Sequence, residues 1–121
     1  MGDRICIRLT DGRKTTPLFY GHWCGLRAVE VMNEVLGGEN NDIHNAMCNF
    51  IVKVTDGITH PYSYYLYNDT ENNSTMADWD NYCWTFDTST GFWTTTYPEL
   101  AGKKMTPEEA DRYAGSHRAY M

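Results

Sequence analysis

From residue 54 to residue 102 the chain has neither lysine nor arginine. At average usage of roughly 11% for the two together, a stretch of that length would hold about five. Long apolar runs are missing too. No segment approaches the roughly 18 residues that a membrane-spanning helix needs. The opening Met-Gly-Asp-Arg-Ile-Cys-Ile-Arg carries charges where a secretory leader would be apolar, so no leader is expected and the expected compartment is the cytoplasm. The four cysteines, Cys6, Cys24, Cys48 and Cys83, form no Cys-x-x-Cys pair. In such a chain they are expected to be free thiols, partly buried.

The cation-free stretch is 49 residues long and holds seven carboxylates: Asp56, Asp69, Glu71, Asp78, Asp80, Asp87 and Glu99. It also holds 11 of the 17 aromatic residues. Residues 1–53 balance six basic against six acidic side chains, and residues 103–121 have four against three. The net charge of −6 therefore belongs to one acidic, aromatic half. Its field repels phosphate and anionic lipid and attracts cations. Rings that stack on nucleic acid come with cations to hold the backbone, and none are present here. The expected partner is a basic protein surface, with no direct nucleic acid contact and no membrane contact. The chain itself is expected to be a monomer or a small homo-oligomer.

A length of 121 residues fits one domain, residues 1–121. Ile5, Ile7 and Leu9 alternate with Arg4, Cys6 and Arg8, which predicts a half-buried strand. Asp11-Gly12 predicts a turn, and residues 16–23 a second strand with Pro17 at its start or on an edge. Ala28, Val29, Met32, Val35 and Leu36 recur at helical spacing until Gly37-Gly38. Asn41 or Asp42 is expected to cap a second helix with Ile43, Met47, Phe50, Ile51 and Val54 on its apolar face. Strands are expected at 62–67, 81–87 and 92–97, and Thr106-Pro107-Glu108-Glu109 is a capping box that starts a last helix. The order ββααβββα predicts an α+β fold: an antiparallel sheet of about five strands with helices on one face.

The segments Gly2-Asp3-Arg4 and Phe19-Tyr20-Gly21-His22-Trp23-Cys24-Gly25, with the Ile-rich strand and Asp11-Gly12 between them, resemble a class of small proteins from phages and bacterial or archaeal genomes. Members begin with a Gly-Asp/Ala-Arg strand and continue to a Tyr-x-His-Trp-x-Gly segment before a helix. The resemblance covers residues 2–36. It implies no activity and carries over no catalytic residue. The class has Gly or Asp where this chain has Cys24, so the thiol is not a shared nucleophile. The phage association implies an inhibitor or accessory protein directed at a host.

Four constellations can carry chemistry. His22, Cys24, His44 and Cys48 are the donor set of a tetrahedral zinc site if two strand-end and two helix side chains converge. Cys24 precedes a helix, whose dipole lowers a thiol pKa, with His22, His44 or His60 as candidate base. Asp69, Glu71, Asp78 and Asp80 offer oxygens around a polar loop, but without the spacing of a calcium-binding loop they read as a solvated acidic surface. Last, Tyr64, Tyr67, Trp84 and Trp93 stand among these carboxylates as a contact surface.

The function expected from this is a small acidic protein-binding module that needs no cofactor. In concrete form it is a phage or mobile-element anti-defence inhibitor docking the nucleic-acid-binding surface of a host protein. Tyr64, Tyr67, Asp69, Glu71, Asp78, Asp80, Trp84 and Trp93 are the expected contact residues. The alternative is a thiol-dependent enzyme or a zinc-binding domain centred on His22 and Cys24. Trp23 is expected to be structural, buried on one face with Phe19 and Gly21.

Overall fold

The computed structural model describes residues 2–56, 63–68 and 73–117. Its elements are β1 (Ile5–Thr10), β2 (Leu18–Gly21), α1 (Arg27–Leu36), α2 (Ile43–Val54), β3 (Tyr64–Tyr67), β4 (Cys83–Asp87), β5 (Phe92–Thr95) and α3 (Pro107–His117). A short 3-10 turn lies at Pro98–Leu100. The α+β class and the order ββααβββα are as expected.

Local chemistry explains most element boundaries. The Asp11 carboxylate accepts from the backbone N–H groups of Arg13 and Lys14, at 2.9 and 2.7 Å, and closes the turn between β1 and β2. Asp42 is the N-cap of α2, in extended conformation, with its side chain accepting from Asn45 N at 2.9 Å. Thr106 and Glu109 bond reciprocally at the start of α3, with Pro107 in its first position.

The sheet order is β3-β2-β1-β4-β5. Three of its pairings are antiparallel, but β1 and β4 run parallel, from Cys6↔Cys83 to Thr10↔Asp87. The sheet is mixed, which corrects the antiparallel expectation. The reason is the connection. The chain leaves β3 at one edge and returns beside β1, beyond β2. β3 already runs with β1, so the returning strand starts again from the same end.

Helices α1, α2 and α3 contribute to the core on one face of the sheet, where Ile7, Phe19, Trp84 and Trp93 meet Val29, Met32, Phe50 and Ala110. On the other face Cys6, Leu18, Tyr20 and Cys83 pack with Ala77 and Met76, which lie on the segment leading into β4. Burying a large apolar side chain is worth about 1.5–3 kcal/mol. Trp84 and Trp93, with no exposed surface, are therefore main anchors of the fold. Their indole N–H groups are also satisfied: Trp84 Nε1 donates to Asn81 O and Trp93 Nε1 donates to Asn33 Oδ1, each at 2.7 Å. This corrects their expected place on a contact surface. Strand alternation says that Trp84 and Phe86 share a face, but not that the helices cover that face.

Candidate functional site

Tyr20 on β2 lies directly opposite Tyr65 on β3, and Leu18 lies opposite Tyr67. The two-residue period therefore puts Tyr20, Tyr65 and Tyr67 on the face away from the helices. There they line an open groove of about 950 Å³, together with Trp23, His22, Ser63 and Met76. The rings form a continuous surface. Tyr20 and Tyr65 are 6.0 Å apart between centroids, and Tyr65 and Tyr67 are stacked at 6.0 Å. Tyr65 is 46% exposed and Trp23 is 52% exposed. Among the described residues no lysine or arginine lines the groove.

The strand–helix junction delivers Trp23 to it. β2 ends at Gly21, and the chain then bends. His22 N donates to Ser63 O at 2.9 Å, His22 O accepts from Asp3 N at 2.7 Å, and Gly25 N donates to Asp3 O at 2.8 Å. The Asp3 carboxylate accepts from Asn81 Nδ2 at 2.7 Å. Gly25 has φ 55°, and a Cβ there would stand 2.2 Å from Asp3 Oδ2. The Gly2-Asp3-Arg4 segment and the Gly21 to Gly25 segment are thus tied into one junction. Trp23 does not follow Phe19 into the core, because alternation stops with the strand. Its ring instead meets His22 edge-on at 4.8 Å.

Arg4 holds the groove's other wall. Its guanidinium donates to Met76 O and Asp78 O, both at 3.1 Å, and to the Asp80 carboxylate at 3.3 Å. Arg4 N also donates to that carboxylate, at 2.8 Å. Asp80 is therefore engaged within the chain, and Asp78 supplies its carbonyl. Between them stands Trp79, 91% exposed and at φ 68°. A bulky residue in the left-handed region costs about 1 kcal/mol or more, and such backbone is held only where its surroundings demand it. Trp79 was not among the expected contact residues. Its signal was a tryptophan between two aspartates, Asp78-Trp79-Asp80, with no apolar periodicity around it.

The other expected contact residues are dispersed. Tyr67 is in the groove. Tyr64 turns to the helix face and packs on Phe19 at 5.6 Å, where burial pushes its phenol pKa up. Asp69 and Glu71 lie outside the described residues.

The thiol and zinc alternatives lose their geometry. Cys24 Sγ lies over Gly21, so close that a Cβ there would be 2.3 Å away. Burial, helped by the nearby Asp3 carboxylate, pushes the Cys24 thiol up to about 12. The expected dipole effect is outweighed because α1 starts only at Arg27 and desolvation dominates. The His22 ring turns to Tyr20, while His44 and Cys48 are exposed on α2. Among the described residues no three His, Cys, Asp or Glu side chains converge to hold a metal ion. His60 lies outside the described residues. Among them, too, no helix is long and apolar enough to cross a membrane.

Comparison with protein-family models, with curated proteins and with solved structures finds no match to this chain.

Proposed function

We propose that this chain is a small acidic protein-binding module that docks a basic surface of a protein partner through the aromatic groove of β2 and β3. The observation that carries the reading is an exposed, continuous aromatic groove in a molecule with 49 consecutive residues free of cations. Aromatic rings at an interface supply most of the affinity, while like-signed charge around them steers association. Trp23, Tyr65, Tyr67 and Trp79 replace Trp84 and Trp93 as the aromatic contacts, since they keep accessible surface. The concrete form is an anti-defence inhibitor from a phage or mobile element that covers a nucleic-acid-binding surface of a host protein. That part rests on the resemblance of residues 2–36 and on the acidic charge.

The test is capture on the immobilised chain from bacterial host lysate, followed by purification of the retained protein and kinetics at several salt concentrations. A basic, nucleic-acid-binding protein is expected, displaced from its nucleic acid by this chain. Its association rate should fall steeply from low to moderate salt, because exposed charges are screened within about 8–10 Å at physiological ionic strength. An association rate indifferent to salt, or a partner that keeps its nucleic acid, would overturn the reading.

A further inference from the structure

We propose that the groove between Tyr20, Trp23, Tyr65 and Tyr67 is a cation–π site that takes an arginine side chain of a partner peptide. The inference rests on the binding-module reading above and names the chemistry of its site. Ring faces attract cations through their quadrupoles, and tyrosine and tryptophan are the rings that do so well. Here Tyr65 and Tyr67 are stacked at an interplanar angle of 24°, and the nearly buried Tyr20 adjoins Tyr65 at 48°. With half-exposed Trp23 they line an open groove rather than a closed cage. A planar guanidinium stacks on a ring face that such a groove leaves open, whereas a compact ammonium gains less from it.

The net charge of the chain, −6, favours the same occupant. Among the described residues no lysine or arginine competes for the rings from within the lining. Arg4 stands behind the wall, but the Asp80 carboxylate answers its charge, and Met76 and Asp78 carbonyls take its other N–H groups. His22 Nδ1 shares a hydrogen bond with the Tyr20 hydroxyl. Ser63, Tyr65 and Tyr67 bring hydroxyl groups to the lining. A phosphate-bearing ligand would meet the repulsion of the acidic half. A sugar would stack on the rings but gain nothing from the charge. The volume of about 950 Å³ exceeds one side chain and leaves room for the residues beside the arginine.

The experiment is a titration of the whole chain, followed by aromatic ¹³C–¹H spectra, with the peptide Ac-Gly-Gly-Arg-Gly-Gly-amide. Its citrulline and lysine counterparts and an N-acetylglucosamine trimer are run beside it. The arginine peptide should shift the ring signals of Trp23, Tyr65 and Tyr67. Citrulline, equal in shape but uncharged, should bind at least about fivefold more weakly. Tyr65→Ala and Tyr67→Ala should each weaken arginine binding while the melting temperature holds. Equal binding of the citrulline peptide overturns the proposal. So does a saccharide that moves these signals when arginine does not, or a lack of ring shifts at about 10 mM arginine peptide. A protein captured from lysate whose affinity ignores Tyr65→Ala also removes the groove's role, while leaving the binding-module reading in place. Arginine binding with no captured partner supports the groove and counts against that reading.

Discussion

The Tyr20 hydroxyl and His22 Nδ1 share a hydrogen bond of 2.8 Å. It joins the last strand positions of β2 to the bend that follows, and so fixes two adjacent parts of the groove. Tyr20 is nearly buried beneath Met76, while Trp23, next to His22, is half exposed. One short stretch therefore serves the fold with one ring and offers solvent another.

That division separates two tryptophans by stability. Trp23→Ala should alter the free energy of unfolding by about 0.5 kcal/mol or less, as at other exposed positions. Trp93→Ala should cost about 3–5 kcal/mol, as for a buried aromatic. Urea unfolding of the two variants checks this. A large loss for Trp23→Ala would place that ring in the core.

Asn33 on α1 links three elements. It accepts from Trp93 Nε1 at 2.7 Å and donates to Pro107 O and Asp111 Oδ1, at 3.0 and 2.7 Å. Asn33→Ala leaves the indole N–H without its acceptor and should cost about 1–3 kcal/mol. In a Trp93→Phe background the same substitution should cost less, because the stranded donor is gone. A double-mutant cycle reads the coupling, and a value near zero would refute it.

Gly25→Ala combines a positive φ with a close approach to the Asp3 carboxylate, so it should destabilise by about 1–3 kcal/mol. Gly37 has φ −76° and ordinary contacts, so Gly37→Ala should be nearly neutral or slightly stabilising. Thermal unfolding of the pair compares them directly.

The buried thiols predict a loss of stability in alkali. Burial raises Cys6 and Cys24 from an ordinary 9.0 to about 12, and raises Cys83 as well. Above pH 9 the unfolded chain releases these protons while the folded chain keeps them. Their stabilising contribution is therefore complete below about pH 9 and is lost progressively as pH rises toward 12. Tyr20 and the half-buried Tyr64, whose phenols desolvation raises, add to the decline above pH 10. Urea midpoints at pH 7, 9 and 10 should fall over the last step, and the Cys6→Ala/Cys24→Ala double variant should flatten it. In the native protein at neutral pH, iodoacetamide should label exposed Cys48 before the other three.

What was legible in the sequence is what neighbouring residues decide among themselves. The Asp11 turn, the Asp42 cap, the Thr106–Glu109 box and the shared face of Ile5, Ile7 and Leu9 are decided within about four positions, and each stands in the structure, although β1 is not the expected half-buried strand, because Cys6 is buried on its other face. The groove was only half legible. Tyr67, an expected contact residue, lines it, while Tyr65 and Trp23 needed the fold to place them there, and Trp79 needed it to stand exposed nearby.

The parallel direction of β4, the burial of Trp84 and Trp93 and the exposure of Trp79 all depend on contacts between distant residues. Arg4 and Asp80 are 76 positions apart, and Asn33 and Trp93 are 60 apart. A strand's period tells which side chains share a face. Which face stays in water depends on the segment that packs against the other one. Here the helices cover Trp84 and Trp93, and the Arg4-clamped loop covers only part of the opposite face, so the tyrosines of β2 and β3 are left to form the groove.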